Sequence, residues 1–225
     1  MKLSVLFVLC MGLFACGTNR AVYKSADFSQ KAAAHQTIAI LPVQITQTGH
    51  VSKKENEAEI KAANEKWSYV FQESLHAYIL KQTGKNRKGP VVSFQGLQKT
   101  NAILKEANLT LADLYDKKPE DLAKLLNVDA VLITTLEKNK NFSDGVAYGL
   151  AAGRTILSVM GKSATGSALW VNASDINMNS YLYDADDSKL LWKTYRKGGT
   201  DLPNNVDELV QYYSNWIAKK LPYKS

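Results

Sequence analysis

Apolar positions in this chain follow two periods, and the change between them divides it into two unlike halves. Residues 37 to 43, Thr-Ile-Ala-Ile-Leu-Pro-Val, are a short β-branched run that predicts a buried strand. Ile60, Ala63, Trp67, Phe71, Leu75 and Tyr78 then recur at three- and four-residue spacing, which predicts a long amphipathic helix. Ser52 is its candidate cap, acidic residues at 55, 57 and 59 suit its positive end, and Gly84 follows its last turn. Residues 90 to 94 read as a second strand and 97 to 107 as a short helix. Thr110 and Asp113 have capping-box spacing, with Asp in place of Glu. Pro119 suits the first turn of a further helix whose apolar face is Leu122, Leu125 and Leu126. Residues 128 to 136 predict a third strand. This β-α-β-α-β order predicts parallel strands joined by helical crossovers.

The second half alternates instead. Ile176, Met178, Tyr181 and Tyr183, followed by Leu191 and Trp192, flank a polar turn at 184 to 189. The register slips near Asn179, and the pattern predicts an antiparallel hairpin added to the sheet. Val206, Leu209, Tyr213, Trp216 and Ile217 form the stripe of a final helix, with Lys219 and Lys220 at its C-terminal end. Residues 17 to 35 are polar without a clear period and read as a tether. The expected fold is therefore one α/β sandwich of two or three layers over residues 36 to 221, built on a mixed sheet, with a Gly-rich insertion at 143 to 166.

The N-terminus narrows the function. Met1 and Lys2 are a short basic start, and residues 3 to 14 are a nearly unbroken apolar run of signal-peptide length. Leu13-Phe14-Ala15-Cys16-Gly17 follows, and it resembles a bacterial lipobox, with Phe14 departing from the commoner small residue. The resemblance implies cleavage before Cys16, a diacylglycerol on its sulfur, and residues 1 to 15 as the signal peptide. Gly17 in place of Asp then implies export to the outer membrane, and the absence of an acidic cluster after Cys16 favours its periplasmic side. Of the 225 residues, 28 are Lys or Arg and 21 Asp or Glu, a net charge of +7. Cleavage removes Lys2, leaving +6, and also Cys10, so no intrachain disulfide is available.

Three blocks carry a second resemblance: Ile-Ala-Ile-Leu-Pro at 38 to 42, Leu-Asn-Val-Asp-Ala-Val-Leu at 126 to 132, and Tyr-Asp-Ala-Asp-Asp-Ser-Lys-Leu-Leu-Trp at 183 to 192. In this order they resemble periplasmic lipoproteins similar to the N-terminal domain of TolB and to the curli secretion lipoprotein CsgG. Asn127 and Ser188 stand where that pattern commonly has glycine; both residue types are tolerated in turns. The resemblance implies a TolB N-terminal-domain-like fold and a non-enzymatic role in an envelope secretion or transport assembly. The long amphipathic hairpins of a CsgG-like pore are not found.

Candidate sites follow. Gly145, Gly149 and Gly153, with Ile156 and Leu157 beyond, have the small-residue spacing that lets helices approach closely, so this stretch is a candidate for self-association or membrane contact. Its alternative is a glycine-rich connection on its own sheet. Lys81, Lys85, Arg87 and Lys88 are a basic turn that could meet an anionic surface, or a solvated loop. Asp184, Asp186 and Asp187 suggest turn chemistry rather than calcium, since Lys189 and Tyr195 occupy the positions where a calcium loop needs Gly and Glu. No nucleophile elbow, zinc-helix or phosphate-loop motif occurs. No cofactor, metal or nucleic-acid partner is expected; the expected partners are the membrane, an envelope protein, or a second copy. The alternatives are a periplasmic hydrolase with an unrecognised site, or a subunit of a secretion channel.

Overall fold

The computed structural model describes residues 20–49, 57–84, 92–140, 176–198 and 206–223. Its centre is a mixed sheet of seven strands: β1 (Arg20–Lys24), β2 (Thr37–Ile40), β3 (Gln44–Gly49), β4 (Ser93–Phe94), β5 (Ala130–Lys140), β6 (Ile176–Asp184) and β7 (Leu190–Lys197). The order is β1-β7-β6-β5-β2-β4, with β3 also on β5. β2 runs parallel to both β4 and β5, as the crossover pattern requires, while β5-β6, β6-β7 and β7-β1 are antiparallel.

Six helices are described: α1 (Phe28–Ala34), α2 (Glu57–Thr83), α3 (Leu97–Glu106), α4 (Leu111–Asp116), α5 (Pro119–Leu126) and α6 (Val206–Lys220). They cover both faces. Ile38 and Ile40 of β2 and Leu132 and Leu136 of β5 pack under Phe71, Leu75 and Ile79 of α2 and the stripe of α6. The intervening residues Ala39, Val131 and Ile133 point to the opposite face and meet Leu104, Leu114, Leu122 and Leu126.

Four expectations are corrected. The stretch read as a tether contains β1 and α1. β1 is an edge strand held by backbone pairing to β7, with Val22 and Tyr23 about half exposed. In α1 only Phe28 and Ala32 are buried, too few to give a period. The strand predicted at 37 to 43 stops at Ile40; the chain resumes as β3, whose sequence Gln-Ile-Thr-Gln-Thr-Gly has one apolar side chain. In the hairpin, burial alternates without a slip from Ile176 to Asp184, and the register shift falls at Leu182 and Tyr183. Ser180 and Asp184 occupy buried positions there, while Tyr181 and Tyr183 take the other face. Leu125 points outward, 38% exposed, because Leu122, Ala123 and Leu126 fill the buried face of α5.

Candidate functional site

Two regions gather polar chemistry. The first fastens the hairpin turn to the N-terminal segment. Lys31 of α1 donates to Asp184 and to Asp187 (3.0 Å), and Lys189 donates to Asp27. His35 lies between Tyr223 Oη, 2.5 Å from its Nδ1, and Asp184 Oδ1, 3.4 Å from its Nε2. Burial, reinforced by the Asp184 and Asp129 carboxylates, holds the Tyr223 phenol far above its ordinary pKa. The Tyr223 hydroxyl can donate or accept at Nδ1, and the Asp184 carboxylate beside Nε2 is an acceptor. The hydrogen bond from Lys31 lowers the Asp187 carboxyl, and those two carboxylates raise Lys31.

The turn also holds α5. Ser188 sits at φ 53 and its Oγ accepts from Glu120 N (3.0 Å) while donating to Glu120 Oε2 (3.1 Å). It supplies the cap that Lys118, the residue preceding α5, does not. At the other end of α5, Asn127 is left-handed at φ 52, and Val128 N returns to Ala123 O (3.1 Å). Asp129 then accepts from Gln36 N and Thr37 N, both at 2.8 Å, which sets β5 level with β2. The second and third sequence blocks thus meet in one corner. Asp187 Oδ1 accepts from Lys189 N (3.0 Å), the turn chemistry expected of it.

The second region is a cleft of about 960 Å3 between α2, β3 and the α3–α4 corner. Its apolar wall includes Ile45, Ile60, Leu104, Leu109, Leu111 and Leu114; Asn64, Asn101, Asn108, Lys61, Glu65 and Lys105 supply polar groups. The corner is built locally. Asn108 is left-handed at φ 54, Leu109 N closes back on Leu104 O (3.1 Å), and Thr110 and Asp113 form the expected capping box. The hydrogen bonds from Thr110 hold the Asp113 carboxyl below its usual range. Burial raises the Tyr115 phenol, and its hydroxyl donates to Pro42 O. Tyr69, on the α2 side, is raised by burial and then by Glu65.

Sequence reasoning found the residues of the turn but missed Lys31, His35, Tyr223 and the whole cleft. Of the candidate residues, Lys81 is exposed on the last turn of α2, 5.9 Å from the Tyr78 ring centroid. Cys16, Lys85, Arg87, Lys88 and the Gly145–Leu157 stretch lie outside the described residues. Among the described residues no helix is long and apolar enough to cross a membrane, and no group of three or more His, Cys, Asp or Glu is placed to hold a metal ion.

No family model and no curated protein sequence matches the chain, so the resemblance to TolB-like and CsgG-like lipoproteins stands on its three blocks. Solved structures do match. The lipoprotein GNA1162 from Neisseria meningitidis is similar at 16% identity and a TM-score of 0.39, over 82% of this chain and 99% of that one. The C-terminal domain of LpoB from Salmonella enterica is similar at 9% identity and 0.38, over 72% and 81%. PelC from Paraburkholderia phytofirmans, a dodecamer, is similar at 11% identity and 0.35, over 92% and 97%. At these scores the likenesses carry no inference about how this chain acts or assembles.

Proposed function

We propose that this chain is a lipoprotein of the outer membrane, anchored through Cys16 on the periplasmic side, and that it acts as a non-enzymatic binding component of an envelope secretion or transport assembly. The observation that carries this reading is the cleft. Apolar side chains and amides make up most of its lining, with Lys61, Glu65 and Lys105 beside them, which suits contact with a partner. The hydrogen-bonded cluster of titratable groups lies elsewhere, at the hairpin turn, where His35 and Asp184 are only 6% and 4% exposed and are occupied by Tyr223, Lys31 and each other. A hydrolase would need such groups open to a substrate.

Anchoring fits the start of the fold. Only Gly17, Thr18 and Asn19 separate Cys16 from β1, so the sheet edge begins within about 14 Å of the acylated residue. The domain is held against the surface rather than on a long leash, and weak contacts then act at high effective concentration. The Gly145, Gly149, Gly153, Ile156 and Leu157 stretch connects β5 to β6. The end of β5, the start of β6 and the start of β1 lie at one end of the sheet, since Lys138 pairs with Ile176, Met178 with Arg196, and Arg196 with Arg20. Anchor and insertion thus leave the sheet at that same end, which supports a role for the insertion at the membrane or against a neighbouring copy. The basic turn from Lys81 to Lys88 is assigned in this reading to an anionic surface.

The test is photocrosslinking in intact envelopes from a probe residue at Ala112, an exposed position lining the cleft. The expected result is a discrete adduct with one envelope protein that fades when Cys16→Ser releases the chain from the membrane. Absence of any adduct, or equal yield from the released protein, contradicts the reading.

A further inference from the structure

The rim of the cleft is a sheet edge whose treatment changes along its length. β4 covers β2 only at Thr37 and Ile38. Beyond it, the exposed backbone groups are taken up one by one. Gln72 Nε2 donates to Ile40 O (2.8 Å), Tyr115 donates to Pro42 O, Pro42 has no N–H, and Val43 N donates to Ser68 O (3.2 Å). From Gln44 on, no such cap is present among the described residues. β3 pairs with β5 on its inner side, and among the described residues no strand pairs with its outer side. Every second residue of a strand turns its N–H and C=O to one side, so three of the six residues of β3 present them outward.

Edges of this kind are ordinarily blunted by lysine, proline or a bulge. β3 has none of these: it reads Gln-Ile-Thr-Gln-Thr-Gly and keeps an unbroken register with β5 from Gln44 to Gly49. The opposite edge, β1, has Arg20 and Lys24 at its two ends. The cleft opens where the outer edge of β3 begins, and both side-chain faces of the strand contribute to it, Ile45 on one and Gln44 and Thr46 on the other. Residues of α2 line it on one side and residues of the α3–α4 corner on the other, with Gln44, Ile45 and Thr46 of the β3 edge between them.

We propose that the outer edge of β3 binds an extended, mainly apolar peptide segment of a partner protein by strand addition, the peptide lying in the cleft between α2 and the α3–α4 corner. The backbone of the peptide pairs with β3, and its alternating side chains meet the α2 wall (Ile60, Tyr69) and the α3–α4 wall (Leu104, Leu111). The occupant follows from what the edge and its flanks offer: a row of outward backbone groups on β3, with no strand beside them among the described residues, and apolar side chains from α2 and from the α3–α4 corner match an extended chain that pairs by its backbone and sends alternate apolar side chains to the two sides. This inference rests on the reading of the protein as a binding module and adds the chemistry of its partner.

The experiment selects 12-residue peptides from a displayed random library on the detergent-solubilised full-length protein. The binders are then synthesised with and without N-methylation of alternate backbone nitrogens. Strand addition predicts that methylation on one alternation weakens binding at least tenfold while the other alternation is tolerated. It also predicts that bound peptide slows amide exchange in β3, and that Leu111→Arg, at a half-buried wall position, abolishes binding without altering the circular dichroism spectrum. Binding indifferent to methylation, no binders, or protection away from β3 overturns it. So does a dimer in sedimentation that Leu111→Arg dissociates, which would make a second copy the occupant. If peptides fail but the crosslink from Ala112 persists, strand addition alone falls; if both fail, the binding reading falls with it.

Discussion

Asn127 and Ser188 stand where the resembling lipoproteins commonly have glycine, and both adopt positive φ, 52 and 53. Each position therefore needs a left-handed residue, and this chain meets the need with side chains that tolerate it. The two differ in what else they do. Asn127 only ends α5, so Asn127→Gly should stabilise the protein by about 0.5 kcal/mol as strain is relieved. Ser188 also caps α5 through Glu120, so Ser188→Ala should cost about 1 kcal/mol. Urea unfolding of the two variants checks both signs. Asp184 is the buried member of the turn network, and removing its charge leaves Lys31 with Asp187 alone and His35 with Tyr223 alone. Asp184→Asn should therefore destabilise by about 3 kcal/mol in the same assay. At this scale the sequence located the turn and its acidic residues but not their partners. Lys31, His35 and Tyr223 lie more than 145 positions from Asp184 or come from opposite ends of the chain, and no local pattern records such a pairing.

Among elements, those with a strong period were legible and those held by backbone pairing were not. The long helix, the helix opened by Pro119, the central strand and the final helix all bury a stripe or a run. β1 and β3 bury little and are fixed by register with β7 and β5, a tertiary property. Since β3 makes one side of the cleft, the candidate site went unread with it. α2 also carries a testable group. His76 is half-buried, its buried Nε2 has no hydrogen-bond partner among the described residues, and desolvation lowers its pKa. The unfolded chain then takes up a proton more readily than the folded one, so stability is fully present above the ordinary histidine pKa and declines as pH falls through it. The urea midpoint should drop between pH 7 and 5.5, and the drop should shrink in His76→Gln. An unchanged slope in the variant contradicts this assignment.

For the whole molecule, one inference from the first residues organises the rest. On the proposed reading, acylation at Cys16 would hold the β1 edge of the sheet near the bilayer and leave the cleft, on the β3 edge, for a partner. Composition gave no hint of this arrangement, since a net charge of +7 and the absence of catalytic motifs fit many proteins. The measurement that bears on it most directly is the intact mass of the mature protein extracted from the outer membrane, with its N-terminal peptide sequenced. The account predicts a chain that starts at Cys16 and carries diacylglycerol on that sulfur. A chain that starts elsewhere, or an unmodified Cys16 thiol, would contradict it.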